Sequence, residues 1–236
     1  MTPALPNTSE SESARDRWLD RQERLIASLR VQPFLLVVRP SPVDLDQSDP
    51  ALRSALLDQL ATLEAAGLRH LELAWSPHPG WCHLLVSIRD RCPSLSLGAA
   101  SVVDRRALDD LEQLDLPYAM SPCWDPDLQA EARSRGVLVV PGVFSPTEVI
   151  QAIQVGCRLV KLFPAATLGR EYWSRLRSPL GPLPFVIAAG GLAPADLQEW
   201  LKAGHDAVAL GRSVVQSSGV RPELLELLQQ SQAPGR

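Results

Sequence analysis

A lysine in the middle of a short apolar run is the first chemical signal in the sequence. The run is Leu159–Ala165, and it contains Lys161 and, near its end, Pro164. Desolvating an ammonium group is costly, so a buried lysine loses its proton more easily than an exposed one. A neutral amine is a nucleophile that attacks a ketone to form an iminium. The run therefore indicates that Lys161 is a candidate for Schiff-base chemistry.

A second ionisable residue, Glu72, lies inside the apolar segment Leu71–Trp75. A carboxyl group near a reacting amine can carry protons, alone or through a water molecule. Arg39 follows a third apolar segment, and a neighbouring cation lowers the pKa of an amine towards about 7 to 8. Lys161 and Glu72 also fit a purely structural ion pair. Their joint placement favours catalysis, because a buried charge pair is an expensive structural device.

The elements that must position these residues alternate between strand and helix patterns. A helical pattern over residues 14–30 precedes eight apolar segments, each followed by a helical pattern, at a repeat of about 25 residues. One predicted helix has clear start and stop signals, with Asp49 as N-cap, Pro50 at its first position and Gly67 after its last turn. Residues 41–49, which precede it, are predicted to form a loop. The predicted strands are Phe34–Val38, Leu71–Trp75, Leu95–Ser101, Tyr118–Met120, Val137–Val140, the Lys161 segment, Leu183–Ala188 and Ala207–Leu210.

Apolar strands that alternate with helices predict a parallel sheet covered on its outer face. Eight such units predict an α/β fold of the (β/α)8 TIM-barrel type with an additional N-terminal helix. A single domain over residues 14–236 follows, with residues 1–13 as a disordered tail. The alternative is a doubly wound open sheet, but no G-x-G-x-x-G pattern follows the first strand.

Chemistry in a TIM barrel takes place at the carboxyl ends of the strands. Glycines follow the last two strands, and each group precedes a helix, so backbone N–H groups there are expected to bind an anion such as phosphate. A simple tight turn is the other interpretation of the Gly190–Gly191 pair. The residues at the predicted strand ends are Arg39, Glu72, Ser101, Ser121–Pro122, Pro141–Gly142, Lys161, Gly190–Gly191 and Gly211–Ser213.

Composition excludes several classes of partner. A net charge of −4 argues against nucleic acid or an anionic membrane as the main partner. No apolar run is long enough to span a bilayer, and the first residues lack the features of a secretory signal. The four cysteines form no C-x-x-C pair and the histidines form no H-E-x-x-H pattern, so we expect free thiols in a cytoplasmic protein and neither a metal nor a cofactor. His78 and His83 fit a solvated loop better than a metal site.

Several of these segments together resemble the 2-keto-3-deoxy-6-phosphogluconate (KDPG) and 4-hydroxy-2-oxoglutarate (KHG) aldolase family. The resemblance extends from about residue 34 to residue 215, with order and spacing that agree along all eight units. The segments are Val160–Ala165 for the Schiff-base lysine motif, Leu71–Leu73 for L-E-V-T, Gly98–Val102 for G-A-G-T-V, Ser121–Pro122 and Pro141–Glu148 for S-P-G and P-G-x-x-T-P-x-E, and Gly190–Leu192 for G-G-[IV].

The resemblance implies a metal-independent class I aldolase that is commonly a homotrimer and needs no cofactor. The family reaction splits KDPG into pyruvate and glyceraldehyde 3-phosphate, a step of the Entner–Doudoroff pathway of carbohydrate metabolism. By this resemblance Lys161 forms the iminium and Glu72 moves protons. The substrate-binding residues implied are Arg39, Ser76, Ser101, Pro122, Phe163, Gly190, Gly191, Arg212 and Ser213.

The sequence also departs from the family pattern. Ser76 replaces an arginine that helps to hold the pyruvyl carboxylate, Ala189 replaces a threonine, and Cys123 replaces a glycine. Loss of a bidentate carboxylate partner weakens binding, so we expect the amine chemistry to be retained and the substrate preference to have changed. The alternatives are cleavage of KHG or decarboxylation of oxaloacetate by the same lysine. A non-catalytic barrel that binds a phosphorylated metabolite is the alternative from another class.

Overall fold

The computed structural model describes residues 8–46, 50–211, 215–216 and 219–232. Its strands are β1 (Phe34–Val38), β2 (His70–Ala74), β3 (Ser96–Ala100), β4 (Tyr118–Met120), β5 (Val139–Val140), β6 (Gly142–Val143), β7 (Leu159–Leu162), β8 (Phe185–Ala189), β9 (Ala207–Leu210), β10 (Val215–Gln216) and β11 (Gly219–Val220). Its α-helices are α1 (Thr8–Val31), α2 (Pro42–Leu45), α3 (Pro50–Ala65), α4 (Gly80–Arg91), α5 (Arg106–Gln113), α6 (Pro126–Arg135), α7 (Pro146–Gln154), α8 (Ala165–Leu168), α9 (Tyr172–Leu180), α10 (Leu197–Lys202) and α11 (Pro222–Gln232), and Pro194–Asp196 forms a 3₁₀ turn.

A single parallel sheet forms the centre of the molecule, in the order β5-β4-β3-β2-β1-β9-β8-β7-β6. β5 and β6 are consecutive pieces of one segment, separated by Pro141. β5 pairs with β4, whereas β6 pairs with β7. The carbonyl of Pro141 accepts a hydrogen bond from Lys161 N–H at 2.9 Å. The segment therefore joins the two ends of the sheet, and the predicted eight-stranded TIM barrel is confirmed.

Burial and capping explain why these segments form these elements. The barrel strands are buried along most of their length, as expected of a parallel sheet with helices outside it. Two of the helices begin at clear side-chain caps: the Asp125 carboxylate accepts from two backbone N–H groups at the start of α6, and Ser145 and Glu148 form a capping box at α7. Gly136 ends α6 in the left-handed region, with φ of 72°.

Helix α1 covers the end of the barrel at which the strands begin. The Gln22 side chain accepts a hydrogen bond from Arg158 N–H just before β7, at 2.7 Å, and the Gln32 side chain accepts from Arg69 N–H just before β2, at 2.8 Å. Apolar side chains of α1 are buried in the common core, namely Trp18, Leu25, Ile26 and Leu29. The additional N-terminal helix thus closes the end opposite to the carboxyl ends of the strands.

The structure differs from the sequence predictions at element ends and in short helices. α1 begins at Thr8 and so takes in part of the predicted disordered tail, of which residues 1–7 lie outside the described residues. The predicted loop of residues 41–49 contains the short helix α2, because Ser41 and Asp44 form a capping box. Asp49, the predicted N-cap of α3, is not among the described residues. None of the described helices has both the length and the apolar character that crossing a membrane requires.

Candidate active site

Strand register determines which side chains share the barrel interior. Val37 is paired with Glu72, Glu72 with Gly98, and Gly98 with Tyr118, across β1, β2, β3 and β4. Residues paired in this way point to the same face of a sheet. On the other side of the barrel, Lys161 of β7 is paired with neighbours on β6 and β8. The charges of Glu72 and Lys161 act on each other, so both side chains face one interior, from different sides.

A cavity of about 660 Å³ opens at the carboxyl ends of the strands. It brings together many of the residues that the sequence indicated, from strands that are distant in the chain. The cavity is lined by Val37, Arg39, Ala100, Ser101, Lys161, Phe163, Pro164, Ala166, Thr167, Ala189, Gly190, Gly191, Leu192, Ala193, Ala209 and Gly211.

Lys161 is the buried amine of this cavity, with 6% of its surface exposed. Burial lowers the pKa of Lys161 below its ordinary value of 10.5; the charge of Glu72 opposes this shift, and the charge of Arg39 adds to it. The Nζ atom lies 5.1 Å from the centroid of the Phe163 ring. A lysine in this setting has a larger neutral fraction than an exposed lysine, and the neutral amine is the nucleophile.

Glu72 is completely buried, and neither carboxyl oxygen has a hydrogen-bond partner among the described residues. Burial raises the pKa of Glu72 from its ordinary value of 4.5 to about 8, although the charge of Lys161 acts in the opposite direction. A carboxyl group with a pKa near neutral pH both gives and takes protons readily. The structure records no ion pair between Glu72 and Lys161, both of which are described.

Backbone conformations at the cavity wall are unusual. Ser101, at the end of β3, has a φ of 61°, which is rare for a residue with a side chain. Gly190 and Gly191 have φ values of 96° and 81°, and a Cβ atom on Gly190 would lie 2.9 Å from the Phe163 ring. Glycine is therefore required at Gly190 both for its conformation and for space.

The anion site predicted at the glycine-rich strand ends is only partly described. Gly190, Gly191 and Gly211 line the cavity, whereas Arg212 and Ser213 lie outside the described residues. The N–H group of Ala193, in the turn after the glycine pair, donates to the Asp196 carboxylate at 2.8 Å. This amide is therefore already occupied by the protein itself.

Three described residues implied by the family resemblance, Glu72, Ser76 and Pro122, are not among the residues that line the cavity. Ser76 lies in the loop after β2, where its hydroxyl accepts a hydrogen bond from His78 N–H at 3.3 Å. Pro122 lies in the chain after β4 and beside β6, where its carbonyl carbon would be 2.3 Å from a Cβ atom built on Gly142. Ser76 and Pro122 follow their strands in sequence, and neither is among the residues that line the cavity around Lys161.

Two polar residues near the reacting groups carried no sequence signal. Thr167 lines the cavity from α8, a helix of four residues that the sequence pattern did not indicate. Tyr118, on the three-residue strand β4, is buried beside Glu72 in the barrel interior. Gly98 is paired with both Glu72 and Tyr118, and because it has no side chain it leaves the space that the Tyr118 ring occupies. Within the described part of the chain, no group of three or more His, Cys, Asp or Glu residues is placed to hold a metal ion.

The sequence of this chain is similar to known aldolases. Residues 51–230 match the family model for KDPG and KHG aldolase. The 2-dehydro-3-deoxy-6-phosphogalactonate aldolase of Escherichia coli (strain K12) is 28% identical over 134 residues, which are 56% of this chain and 65% of that protein. The chain spans about half to two thirds of the length of several curated relatives, this one among them.

Two solved structures show the same fold. The 2-keto-3-deoxy-6-phosphogluconate aldolase from Zymomonas mobilis ATCC 29191 superposes with a TM-score of 0.70 at 21% identity, covering 89% of this chain and 98% of that one. The KDPG aldolase from Legionella pneumophila, with pyruvate captured as a covalent carbinolamine intermediate, gives a TM-score of 0.68 at 22% identity, covering 84% and 93%. Because the family model covers well over half of its length, the chain belongs to the KDPG and KHG aldolase family.

Proposed function

We propose that this chain is a class I aldolase that cleaves KDPG into pyruvate and glyceraldehyde 3-phosphate. The observation that carries the proposal is the buried amine of Lys161 in the cavity, with the buried carboxyl group of Glu72 in the same barrel interior. A buried lysine and a buried glutamate are costly to fold, so a catalytic use explains both. The Legionella relative, in which pyruvate is covalently bound, supports the same chemistry.

The reaction begins when Lys161 Nζ attacks the keto carbon of the substrate. The carbinolamine loses water to give an iminium, which withdraws electrons from the neighbouring carbon. Glu72 takes the proton of the C4 hydroxyl, the C3–C4 bond breaks, and its electron pair moves to the iminium nitrogen to form an enamine. The aldehyde product leaves. Glu72 returns the proton to C3, and water then hydrolyses the new iminium to release pyruvate and free Lys161.

The substrate carries a negative charge at both ends, and the cavity offers different groups to each end. Arg39 is the described arginine among the lining residues, and it is a candidate partner for the carboxylate in place of the arginine replaced by Ser76. Gly190 and Gly191 are candidates for backbone contacts to the phosphate, with Arg212 and Ser213 next in the family pattern.

Borohydride reduction in the presence of pyruvate tests the iminium directly. The chain contains two lysines, Lys161 and the exposed Lys202, so the site of the adduct is easily assigned by peptide mass mapping. We expect an adduct on Lys161 that is lost in Lys161→Ala and unchanged in the matched control Lys202→Ala. An adduct on Lys202 alone, or none, would refute the proposal.

Cleavage of KHG or decarboxylation of oxaloacetate is the second candidate function. It is favoured by Ser76, which replaces the family arginine and takes a hydrogen bond within its own loop. These smaller oxo-acids pass through the same iminium on Lys161. A comparison of kcat/KM for KDPG, KHG and oxaloacetate, followed as pyruvate release with a coupled dehydrogenase, distinguishes the two functions.

A non-catalytic barrel that binds a phosphorylated metabolite is the remaining alternative, and Cys123 and Ala189 are the departures that suggest it. The same pyruvate assay with Lys161→Ala separates it from the aldolase. Turnover that depends on Lys161 contradicts the binding-only function, whereas tight KDPG binding without turnover supports it.

We further propose a cytoplasmic homotrimer that serves the Entner–Doudoroff pathway. Exposed apolar side chains on and just before α7, namely Phe144, Ile150 and Ile153, support an interface between subunits. Light scattering after size-exclusion chromatography measures the assembly. We expect a trimer for the native chain and a smaller species for Ile150→Glu, with Val86→Glu, another exposed apolar residue, as the matched control.

A further inference from the structure

The Tyr118 hydroxyl is a buried polar group that the mechanism above does not use. Tyr118 is 1% exposed, and its oxygen has no hydrogen-bond partner among the described residues. Both carboxyl oxygens of Glu72 are in the same situation. Buried polar atoms in proteins are nearly always paired, so unpaired atoms close together in one interior are a reason to look for a function.

Strand register places the two side chains at the same level of the barrel. Glu72 on β2 is paired with Gly98 on β3, and Gly98 is paired with Tyr118 on β4. Neighbouring strands are about 4.8 Å apart, so the backbones of β2 and β4 are separated by about 10 Å. A direct contact between the two side chains therefore requires one of them to reach across β3.

The ring of Tyr118 reaches over β3 because that strand carries a glycine at this level. A Cβ atom on Gly98 would lie 2.5 Å from Cε2 and 2.6 Å from Cζ of Tyr118, so the outer edge of the ring lies directly over Gly98. Cζ carries the hydroxyl group. In this structure the Tyr118 hydroxyl and the Glu72 carboxyl group are not hydrogen-bonded to each other, so a movement of the side chains must bring them together.

We propose that Tyr118 is a positioning residue whose hydroxyl donates a hydrogen bond to the ionised Glu72 carboxylate during proton transfer. The inference rests on the proposed function, because it takes Glu72 as the proton carrier. A donor to the charged form stabilises that form, so it limits the rise in pKa that burial alone produces. Glu72 can then return to the carboxylate state after each proton it delivers.

The ionisable groups that face Glu72 allow this role. Lys161 approaches from β7 and Tyr118 from β4, whereas Val37 and Gly98, its paired neighbours on β1 and β3, carry no charge. Burial, and then the charge of Glu72, raise the pKa of Tyr118 well above its ordinary value of 10.0. The hydroxyl therefore keeps its proton at neutral pH and remains a donor.

An infrared titration of the Glu72 carboxyl group in Tyr118→Phe tests the proposal without any substrate. The carbonyl band of protonated Glu72 is assigned by its loss in Glu72→Gln, and its pH dependence gives the pKa of Glu72. Removal of the donor is expected to raise this pKa by about one unit. The chain has one other tyrosine, Tyr172, whose hydroxyl donates to the Phe144 carbonyl at 2.7 Å, and Tyr172→Phe is the matched control with no expected shift.

Fluorotyrosine provides a second test that keeps the ring and the hydroxyl in place. Incorporation into the Tyr172→Phe background labels Tyr118 alone, and the more acidic hydroxyl is a stronger donor. The pKa of Glu72 is then expected to fall, opposite to the effect of Tyr118→Phe. An unchanged Glu72 pKa in both samples overturns the proposal. A rise in the Tm of Tyr118→Phe without a shift in the Glu72 pKa also overturns it, because that result is expected when an unpaired buried hydroxyl is removed. A wild-type chain that does not cleave keto acids contradicts the proposed function and leaves this titration interpretable.

Discussion

Glu72 and Lys161 share one physical problem, because burial works against the charged form of each. Burial raises the pKa of Glu72 and lowers the pKa of Lys161, while their mutual attraction acts in the opposite direction for both. The same desolvation that makes the pair costly for folding brings an acid and an amine towards the pH at which both exchange protons. At the scale of single residues, stability and reactivity are therefore linked through these two pKa values.

The raised pKa of Glu72 predicts a pH-dependent stability. The ordinary value is 4.5 and the folded value is about 8, so between them the folded state binds more protons than the unfolded state. The free energy of unfolding contributed by this group is fully present below about pH 4.5 and falls as pH rises towards about 8. We expect Glu72→Gln to lose this dependence and to gain stability relative to the native chain over the same range. Urea denaturation at a series of pH values measures the difference.

The difference in the free energy of unfolding between the native chain and Glu72→Gln does not include the pH-dependent contribution of His70. Burial lowers the pKa of His70 from 6.5 to about 4. The stability that His70 contributes is therefore fully present above about pH 6.5 and is lost as pH falls to about 4. His70 is present in both proteins and cancels in their difference. A difference between them that does not change with pH would show that Glu72 titrates normally in the folded state.

Gly190 offers a residue-scale test of the cavity wall. Gly190→Ala places a methyl group 2.9 Å from the Phe163 ring, which stands over Lys161 Nζ. Gly204 has the same φ of 96° with no atom within 4 Å of a built Cβ, so Gly204→Ala carries the backbone strain alone. We expect both variants to lose about 1 kcal/mol of stability, and only Gly190→Ala to slow borohydride trapping of Lys161. Equal trapping rates would show that Phe163 moves without affecting the amine.

Among the elements, α1 determines how the barrel is closed at the end away from the cavity. Its Ser28 hydroxyl lies 3.1 Å from Nε2 of the buried His70 at the start of β2, and its apolar face is in the common core. The strands begin under this helix and end at the cavity. The helix therefore supports the barrel, and none of its residues is among those that line the cavity described above.

This separation predicts a variant that changes stability without changing the chemistry. Leu29 is fully buried on α1, and Leu29→Ala is expected to lower the free energy of unfolding by about 2 to 5 kcal/mol. Val31→Ala, at a position 67% exposed on the same helix, is the matched control with a change below about 0.5 kcal/mol. Borohydride trapping of Lys161 at a temperature where both variants are folded is expected to be unchanged. Slower trapping in Leu29→Ala would show that α1 acts on the active site.

At the scale of elements, the periodicity of the sequence predicts the strands and helices, but it does not predict strand register or the course of the loops. Glu72 and Lys161 are visible because a charge interrupts an apolar strand, and the structure places both in the barrel interior. Ser76 and Pro122 follow strand ends in sequence, but they are not among the residues that line the cavity. The partnership of Tyr118 with Gly98 depends on register between strands that are distant in sequence, and a single sequence does not contain that register.

For the whole molecule, the number of barrel units is predictable and the way the sheet closes is not. Eight apolar segments predict eight strands, whereas the structure divides the fifth segment into β5 and β6 at Pro141. Proline cannot donate a ladder hydrogen bond, so the segment changes partners there, from β4 to β7. The closure depends on this short segment and on the close approach of its neighbour, the chain after β4.

Gly142 is the position where that closure is most sensitive. A Cβ atom there would lie 2.3 Å from the carbonyl carbon of Pro122 and 2.5 Å from the backbone nitrogen of Cys123, and backbone atoms cannot move aside as a flexible side chain does. Gly142→Ala must therefore push β6 away from the end of β4 and weaken its pairing with β7. We expect a loss of about 1 to 3 kcal/mol in the free energy of unfolding, measured by urea denaturation. Gly211→Ala, which meets no atom within 4 Å and has no left-handed φ, is the matched control. Equal stability of the two variants would mean that the β5–β6 segment does not hold the barrel closed, and that the sheet is maintained by the remaining strand pairs alone.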